Sequence, residues 1–557
     1  MMKEGKTRKR RLRRTLALLL ALITVLSGCG SSSSGSTDTS AAAGESAATT
    51  AAEVTSVTGE SEEAAASGEA QYGGDLRVTI SSDPASLDVM LEDVVDAQIP
   101  GYHVFETAIC NDASGNIYPQ VCTYEETDTQ VILKVRDGVT FHNGNAVTIE
   151  DVEASAVRWL ANVSSAETYV GSVLESMEIV DDTLVFTFTE PAPLATTVMA
   201  FYDQGLYIMP KEICEKYPDS KIADEDLIGT GPYKFVEHQA DRYILLEKYE
   251  DYQPMDNGDA TGMAAARMGY VDHIYFYPVS DKSARVNGLL TGEYDIAIGA
   301  PQNMIDQINA NEGTEVVLKS DEIFAGLIFN YAEGACTDVN LRNAILACLD
   351  MDELMLAAQG SEDLYVLNPG VMSVNSKWYT DESLGKYNNV DLEAAKEYLE
   401  QSSYDGEELV FITTKDNDYF YKTALALSEM VAEIGINIDL QVYDNATLKE
   451  YRMDSSKYDM CSVGLSSKVD PTQISFLESG WAGFYESEQK DTLIAQMKAE
   501  TDFDKRYELW VELTKVLYEE LPNITFGERL MVLAKSTSVQ NIYDGTQKFY
   551  WNTWIEE

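Results

Sequence analysis

The sequence predicts an α/β protein of two or three domains, and two observations support this. Residues 409–472 follow the order strand, helix, strand, helix, strand, which produces a parallel sheet with right-handed crossovers. Residues 72–557 are too numerous to fold around one hydrophobic core, and they contain no internal repeat.

Each element of the α/β segment has a local signal. Residues 409–414 (LVFITT) are apolar and rich in β-branched side chains, which is typical of a buried strand. Residues 418–433 space their apolar side chains as a helix does, and Gly435 ends that helix. The remaining elements are a strand at 436–443, a short helix at 448–453 and a strand at 458–465.

Two loops of this segment are predicted to border a ligand-binding crevice. Ligands of open α/β sheets bind beyond the carboxyl ends of the strands. Residues 415–417 and 466–470 follow two such ends, and Lys468 is the one cation of the second loop.

A turn followed by a helix is predicted within residues 141–152 (FHNGNAVTIEDV). Asn143 and Gly144 form a tight-turn pair. Thr148 can cap the helix, with Asp151 three residues later as its partner. Further strands are predicted at residues 75–81, 131–136, 184–189 and 323–330.

The beginning of the chain predicts export. A basic segment precedes an apolar run at residues 16–26, which is shorter than the roughly 20 residues of a membrane span. The run ends in L-S-G-C at Cys29, which resembles the lipobox of bacterial lipoproteins. We expect a signal peptide at residues 1–28 and a lipidated Cys29; the alternative is an ordinary signal peptide with an incidental cysteine.

Residues 30–71, rich in Ser, Ala and Thr, predict a disordered tether, so that residues 29–71 join the lipid to the folded body.

Composition excludes several function classes. The chain has 93 Asp and Glu against 40 Lys and Arg, a net charge of −53, so no nucleic-acid partner is expected.

Six cysteines follow Cys29 without any C-x-x-C pair, and we expect most to be buried free thiols. The four histidines are dispersed, and no hydrolase or nucleotide-binding motif is present. We therefore expect no metal, no cofactor and no enzymatic activity.

Five segments together resemble one family, the solute-binding lipoproteins of peptide- and nickel-type ABC importers (family 5). They occur in the family's order along nearly the whole exported chain. They are residues 72–88 (YGGDLRVTISSDPASLD), 141–152, 228–235 (IGTGPYKF), 289–297 (LLTGEYDIA) and 329–350 (FNY to DVNLRNAILACLD).

The resemblance implies a two-lobed periplasmic-binding-protein-like fold of type II, large subclass, with an additional inserted small domain. The implied first lobe comprises residues 72–108, 222–320 and 522–557. The inserted domain comprises residues 109–221, and the second lobe residues 321–521. The ligand is held between the two lobes, which close over it by hinge motion.

The resemblance also implies a role. The chain is expected to be a monomeric, lipid-anchored receptor on the outer face of a bacterial cell membrane, which delivers a peptide or peptide-like solute to ABC permease subunits. Alternatives within the fold are a binding protein for an oligosaccharide or carboxylate-bearing compound, and a sensing receptor. Alternatives outside it are a secreted hydrolase or a structural adhesin.

The candidate ligand-binding residues follow from the same resemblance. Peptide-binding members carry G-W-x-x-D after the strand that ends here at Leu465, and that aspartate accepts the ligand's ammonium group. Leu465 stands in place of the tryptophan and Lys468 in place of the aspartate, with Asp470 two residues later. Lys468 is therefore expected to meet an anionic or acceptor-rich ligand, unless it points to solvent or pairs with Asp470. The further candidates are Ser466, Ser467, Asp93, Val94, Tyr169 and Asn417.

Overall fold

The computed structural model describes residues 69–381, 384–543, 545 and 548–556, and shows a mixed α/β protein. An 11-stranded sheet runs through it, in the order β15-β14-β16-β12-β17-β11-β1-β10-β9-β8, with β13 beside β17. The predicted α/β class is confirmed. Among the described residues, no helix has the length and apolarity needed to cross a membrane.

The elements before the first long strand of the sheet alternate between short strands and short helices. In chain order they are β1 Asp75–Ile80, α1 Val95–Val104, β2 Ile109–Asn111, β3 Ile117–Pro119, β4 Cys122–Thr127, β5 Gln130–Val135, α2 Ile149–Asn162, α3 Ser164–Tyr169, β6 Leu174–Val180, β7 Thr183–Phe188, α4 Ala195–Ala200, α5 Lys211–Lys216, β8 Tyr233–Gln239, β9 Tyr243–Lys248, β10 His273–Pro278, α6 Lys282–Leu290, β11 Ile296–Ile298 and α7 Ile305–Asn309.

The remaining elements include the two longest strands, β12 and β17. They are β12 Thr314–Phe329, α8 Val339–Cys348, α9 Met351–Gln359, β13 Tyr365–Val366, α10 Leu392–Gln401, β14 Glu408–Thr414, α11 Asp418–Ala432, β15 Asn437–Tyr443, α12 Asn445–Tyr451, β16 Met460–Ser466, α13 Glu488–Ala499, α14 Phe503–Glu520, β17 Asn523–Ser536, β18 Val539–Gln540 and β19 Trp554–Ile555.

Two large hydrophobic cores lie along the central sheet. The first core is built from buried side chains of residues 76–276 together with 296 and 533–551. The second core is built from buried side chains of residues 324–526. Strands β12 and β17 pair antiparallel with each other and pass from one core to the other, with register shifts between Ser320 and Phe324 and between Ala325 and Gly326. These two strands therefore connect the cores through one shared sheet.

A small four-stranded sheet, in the order β4-β5-β7-β6, lies apart from the central sheet. Its buried side chains belong to the first core, as do those of helix α2. The helix begins with the predicted capping box, in which the Asp151 carboxylate accepts hydrogen bonds from the Thr148 backbone nitrogen at 2.8 Å and the hydroxyl at 2.7 Å. This sheet lies within the segment predicted as an inserted domain, and the exact lobe boundaries stay a prediction.

The α/β segment that bears the predicted crevice has the expected topology. Strand β14 pairs parallel with both β15 and β16, so these strands end at the same edge of the sheet. The C-terminal half of β12 completes this part of the sheet antiparallel to β16, with Ile323 opposite Ser466.

Candidate functional site

A gap between the two cores lies at the end of strand β16. The space within it that a water molecule can reach is about 40 Å³, and the gap measures about 460 Å³ when the open solvent at its mouth is included. From the side of the second core it is lined by Ser376 and by the loop from Ser467 to Val469. From the side of the first core it is lined by Asn111, Ala113, Ser114, Gly115, Phe201 and Tyr202. The predicted crevice loop after β16 thus borders a space to which both cores contribute.

Lys468 brings a positive charge to this gap. Its side chain is half-buried. Across the described residues, its ammonium group has neither a hydrogen bond nor an ion pair within 4 Å. Its charge acts on the carboxyl group of Asp203, where it opposes the rise in pKa. The charge of Lys468 thus reaches Asp203, which follows the gap-lining Tyr202 in the chain.

Asp203 is held in place by a chain of hydrogen bonds. The Nε2 of Gln98 donates to Asp203 Oδ1 at 2.7 Å, and the hydroxyl of Tyr102 donates to Gln98 Oε1 at 2.9 Å. Gln98 and Tyr102 are both buried in helix α1. Burial raises the pKa of the Asp203 carboxyl, the bond from Gln98 and the charge of Lys468 lower it, and the charge of Asp93 raises it. The result is an oriented, partly desolvated carboxylate beside the gap.

A tight turn presents Tyr202 and Asp203. Gln204 adopts a left-handed φ of 60°, and its carbonyl accepts a hydrogen bond of 2.9 Å from the indole of Trp159. A Cβ on Gly205 would lie 2.1 Å from the carbonyl oxygen of Phe201, so only glycine fits there. The hydroxyl of Tyr207 donates to the carbonyl of Tyr202 at 2.6 Å. Backbone constraints, rather than side-chain packing alone, fix the direction of this loop.

Asn111 contributes an acceptor that no protein group satisfies. It is 6% exposed, and its Nδ2 donates to the carbonyl of Asp112 at 2.8 Å. Its Oδ1 has no hydrogen-bond partner among the residues described. Because an unsatisfied buried acceptor costs free energy of about 1–3 kcal/mol, this atom is suited to a donor on a bound solute.

Asp470, another candidate of the β16 loop, is buried among internal partners. It is 1% exposed, and its Oδ2 accepts from Arg506 at 2.8 Å. Its Oδ1 accepts from the backbone nitrogen of Thr472 at 3.0 Å and from the hydroxyl at 2.6 Å. The carboxylate is thus occupied by internal partners, and the alternative in which it pairs with Lys468 is wrong.

The other candidates in and near the β16 loop differ in accessibility. Leu465 is 6% exposed and belongs to the second core. Ser466 is exposed at the end of the strand. Ser467 lines the gap, and its hydroxyl accepts from the backbone nitrogen of Ser373 at 3.4 Å.

The candidates from elsewhere in the chain are only partly brought together. Asp93 and Val94 are exposed before helix α1, and the charge of Asp93 reaches Asp203. The ring of Tyr169 lies 6.0 Å from the Nζ of Lys498 in helix α13. Burial and the charges of acidic neighbours raise the pKa of Tyr169 to about 12. Asn417 precedes helix α11 and does not line the gap.

Three contacts join the two sides beyond the gap. The Nζ of Lys377 donates to the carbonyl of Gly115 at 2.9 Å, and its backbone nitrogen to the carbonyl of Ser114 at 3.4 Å. The hydroxyl of Thr501 donates to Asp128 at 2.9 Å. These bonds bring the two sides of the gap together at points distant in sequence from the β12–β17 connection.

A second space, of which a water molecule can reach about 50 Å³, is lined only by residues of the second core and its surrounding loops. Its walls are mainly apolar and include Trp510, Leu517 and Tyr518. Because the first core contributes nothing to it, it does not match a site between two lobes. Among the described residues, no cluster of three or more His, Cys, Asp or Glu could hold a metal ion.

The candidate functional residues that sequence reasoning missed are Asn111, Gln98, Asp203 and Lys377. None stands in a motif with a defined spacing. The segment F-Y-D-Q-G at residues 201–205 carries one recognisable signal, a glycine that closes a turn after an acidic residue.

Comparison with known proteins identifies the family to which the chain belongs. Residues 116–484, the greater part of the chain, match the family described as bacterial extracellular solute-binding proteins, family 5 Middle. The chain belongs to this family. The predicted resemblance is confirmed, and the family consists of substrate-binding proteins of ABC importers rather than enzymes.

Individual family 5 proteins resemble the chain over most of its length. It is 23% identical over 469 residues to the probable peptide ABC transporter periplasmic-binding protein y4tO of Sinorhizobium fredii, covering 81% of this chain and 87% of the relative. It is 25% identical over 477 residues to the oligopeptide-binding protein OppA of Bacillus subtilis, covering 76% and 77%. The crystal structure of the substrate-binding protein CtaP from Listeria monocytogenes superposes with a TM-score of 0.75 at 20% identity, covering 87% of this chain and all of that one. The predicted two-lobed class is thus confirmed.

Proposed function

We propose that this family 5 protein captures a peptide or peptide-like small solute between its two lobes and delivers it to an ABC permease. The observation that carries the proposal is the gap at the end of β16, which both cores line. Its polar groups include Lys468 and Asn111 Oδ1, and this oxygen has no hydrogen-bond partner in the described part of the chain. Relatives named for peptide binding support the choice of solute.

The lobes of this proposal follow the sequence-based boundaries. Residues 72–108, 222–320 and 522–557 form the first lobe, residues 321–521 form the second, and residues 109–221 form the inserted domain. The distribution of buried side chains supports this division, because the first core draws on the first lobe and inserted domain and the second core on residues 324–526. Strands β12 and β17 would then act as the hinge.

The proposed binding residues keep most of the sequence-based candidates. Lys468, Ser466 and Ser467 would contact the solute from the second lobe, and Asp93 and Val94 from the first. Tyr169 and Asn417 remain proposed contacts at the rim, whereas Leu465 and Asp470 would support the loop from inside. A non-peptide solute such as a carboxylate-bearing compound would use the same groups.

Lipid anchoring through Cys29 is the second part of the proposal. Residues 1–68, which include the predicted signal peptide, Cys29 and most of the tether, lie outside the described residues. We expect Cys29→Ser to release the protein from washed membranes into the medium, and Ser31→Ala to leave it membrane-bound. Equal membrane association of both variants would contradict the anchor.

Solute capture is tested on the exported chain purified without denaturation. Native mass spectrometry is expected to show a monomer that retains a small solute. Adding that solute at a hundredfold excess over its Kd is expected to stabilise the protein by about 2.7 kcal/mol. A protein that carries no solute, and that no peptide, oligosaccharide or carboxylate stabilises, would contradict the receptor role.

A further inference from the structure

A mainly apolar pocket lies behind one of the segments that line the gap. It is the second space described above, of which a water molecule can reach about 50 Å³. Helix α14 contributes Trp510, Thr514 and Leu517 to its lining, and strand β17 contributes its first three residues. A connecting segment, the strap (residues 367–380), contributes residues 369–372, 379 and 380. The pocket therefore lies between the strap and the elements on which the strap packs.

The polar groups of this lining are largely engaged with backbone carbonyls. The hydroxyl of Tyr518 donates to the carbonyl of Pro369 at 2.8 Å, and the indole of Trp510 donates to the carbonyl of Trp378 at 2.8 Å. The hydroxyl of Thr514 donates to a carbonyl of its own helix at 2.8 Å. Because these donors are already bonded, water in the pocket would gain few hydrogen bonds.

The size and the lining of the pocket define a class of ligand. One water molecule needs about 10–15 Å³ of such space, so the pocket has room for about four non-hydrogen atoms. Apolar cavities that offer water few partners stay dry and accept small apolar molecules. Tyr379, Tyr387 and Tyr518 are half-buried members of the lining and mark a side from which the pocket can be reached. A small branched hydrocarbon fits these limits, whereas a peptide does not.

The strap joins this pocket to the gap between the cores. Ser376 lines the gap, and the backbone nitrogen of Ser373 donates to the hydroxyl of Ser467 at 3.4 Å. The Nζ of Lys377 crosses to the carbonyl of Gly115 at 2.9 Å. The strap thus contributes residues to both spaces, so a molecule that fills the pocket restricts the segment that holds these contacts.

We propose that the pocket is a second binding site, which takes a small branched hydrocarbon of about four non-hydrogen atoms. Its occupancy holds the strap against helix α14 and so stabilises the contacts that the strap makes across the gap. The site is separate from the gap in which solute capture is proposed, and it goes beyond that function.

Xenon is the first probe, because it is apolar and binds in dry cavities. Crystals of the exported chain under xenon pressure are expected to show xenon between Trp510, Leu517 and the strap. Xenon NMR in solution is expected to show saturable binding. Isobutanol is expected to displace the xenon, and acetamide, which is of similar size, is not, because it would lose its hydrogen bonds to water.

A filled pocket provides the second test. Thr514→Leu adds apolar volume to the wall and is expected to abolish saturable xenon binding. Thr492→Leu is the matched control, since Thr492 is exposed in helix α13 and its hydroxyl also donates to its own helix, at 2.8 Å. Leu517→Phe fills the same pocket from one turn away and replaces Thr514→Leu if that variant does not fold.

Hydrogen–deuterium exchange tests the coupling to the strap. With xenon bound, the amides of residues 370–380 are expected to exchange at least about twofold more slowly in the wild type. The same amides in Thr514→Leu, and those of helix α13 in both proteins, are expected to be unaffected by xenon.

The outcomes separate the parts of the inference. Crystals without xenon in the pocket would overturn the site, and so would saturable binding that persists in the filled variant. Displacement by acetamide as readily as by isobutanol would overturn the apolar class of ligand. Xenon binding without any change in the exchange of the strap would overturn the coupling. Solute capture in the gap is measured separately, by native mass spectrometry, and stands or falls without these results.

Discussion

Lys377 Nζ donates a hydrogen bond of 2.9 Å to the carbonyl oxygen of Gly115, and this bond ties a loop beside the second core to a loop beside the first. The Nζ also lies 5.2 Å from the ring of Phe503. Burial lowers the pKa of Lys377, so the ammonium group is partly removed from water at this contact. The bond can form only when the two loops are close, so in the proposed hinge motion it would belong to the closed arrangement.

The first prediction concerns this contact. Lys377→Met removes the hydrogen bond but keeps the apolar stem of the side chain. We expect the closed arrangement to lose about 1 kcal/mol, and the Kd of a retained solute to rise about fivefold. Small-angle X-ray scattering without solute should show a larger radius of gyration than for the wild type. Lys396→Met is the control, and an identical scattering curve and affinity for both variants would refute the role of this contact.

Asp470→Asn is expected to lower stability rather than to alter solute preference. Asp470 and Arg506 form a buried ion pair, and removing one partner from such a pair typically costs about 3–5 kcal/mol. Urea denaturation measures the change, with Asp306→Asn as the control. A variant of normal stability that binds solute more weakly would show instead that Asp470 contacts the ligand.

Gly205→Ala tests the turn that presents Asp203. The new Cβ would lie 2.1 Å from the carbonyl oxygen of Phe201 and 2.9 Å from that of Met199, both of which are backbone atoms. We expect a loss of at least about 2 kcal/mol in the free energy of unfolding, because the backbone has to move. Gly385→Ala is the control, since its Cβ would meet nothing within 4 Å. Equal urea midpoints for the two variants would show that the turn adapts.

Two buried histidines predict loss of stability in acid. His103 Nδ1 lies 2.8 Å from the carbonyl of Ile99, and its Nε2 accepts from the backbone nitrogen of Tyr550 at 2.9 Å. His142 Nε2 lies 2.9 Å from the carbonyl of Gly231, and its Nδ1 accepts from the backbone nitrogen of Gly229. Each ring is thus held neutral. Burial lowers the pKa of His103 to about 3 and that of His142 to about 4.

The sign of the effect follows from proton binding. Between about pH 4 and 6.5 the unfolded chain binds protons that the folded chain does not, so stability rises with pH in this window. Each histidine adds up to about 1.4 kcal/mol per pH unit there. Urea midpoints measured from pH 4.5 to 7 should rise more steeply for the wild type than for His142→Gln. Parallel pH profiles would mean that His142 is not held neutral.

Local sequence signals were sufficient for the parts of the fold that depend on neighbouring residues. Helical spacing and β-branched runs located the elements of residues 408–466, because their apolar faces pack within one layer. The capping box at Thr148 was predictable because its partner Asp151 is three residues away. The two-lobed architecture came from the order of the family motifs and not from periodicity.

Only part of the candidate binding site was predictable from the sequence. The β16 loop could be found because the topology of a parallel sheet fixes the edge at which ligands bind. Asn111 and Asp203 could not, because they are separated from Lys468 by more than 250 residues and come near it only after the chain folds. The ion pair of Asp470 was unpredictable for a similar reason, since its partner Arg506 is on a later helix.

The six cysteines of the described chain have a practical consequence. All are free and buried, and burial raises the pKa of Cys110, Cys122, Cys348 and Cys461 to about 12, of Cys214 to about 11, and of Cys336 well above its usual value. Thiols in this state react slowly with maleimides, because the thiolate is the reactive form. Fluorophores could therefore be attached to a pair of engineered surface cysteines without first removing the native ones, and the distance between the lobes could be followed on an otherwise unaltered protein.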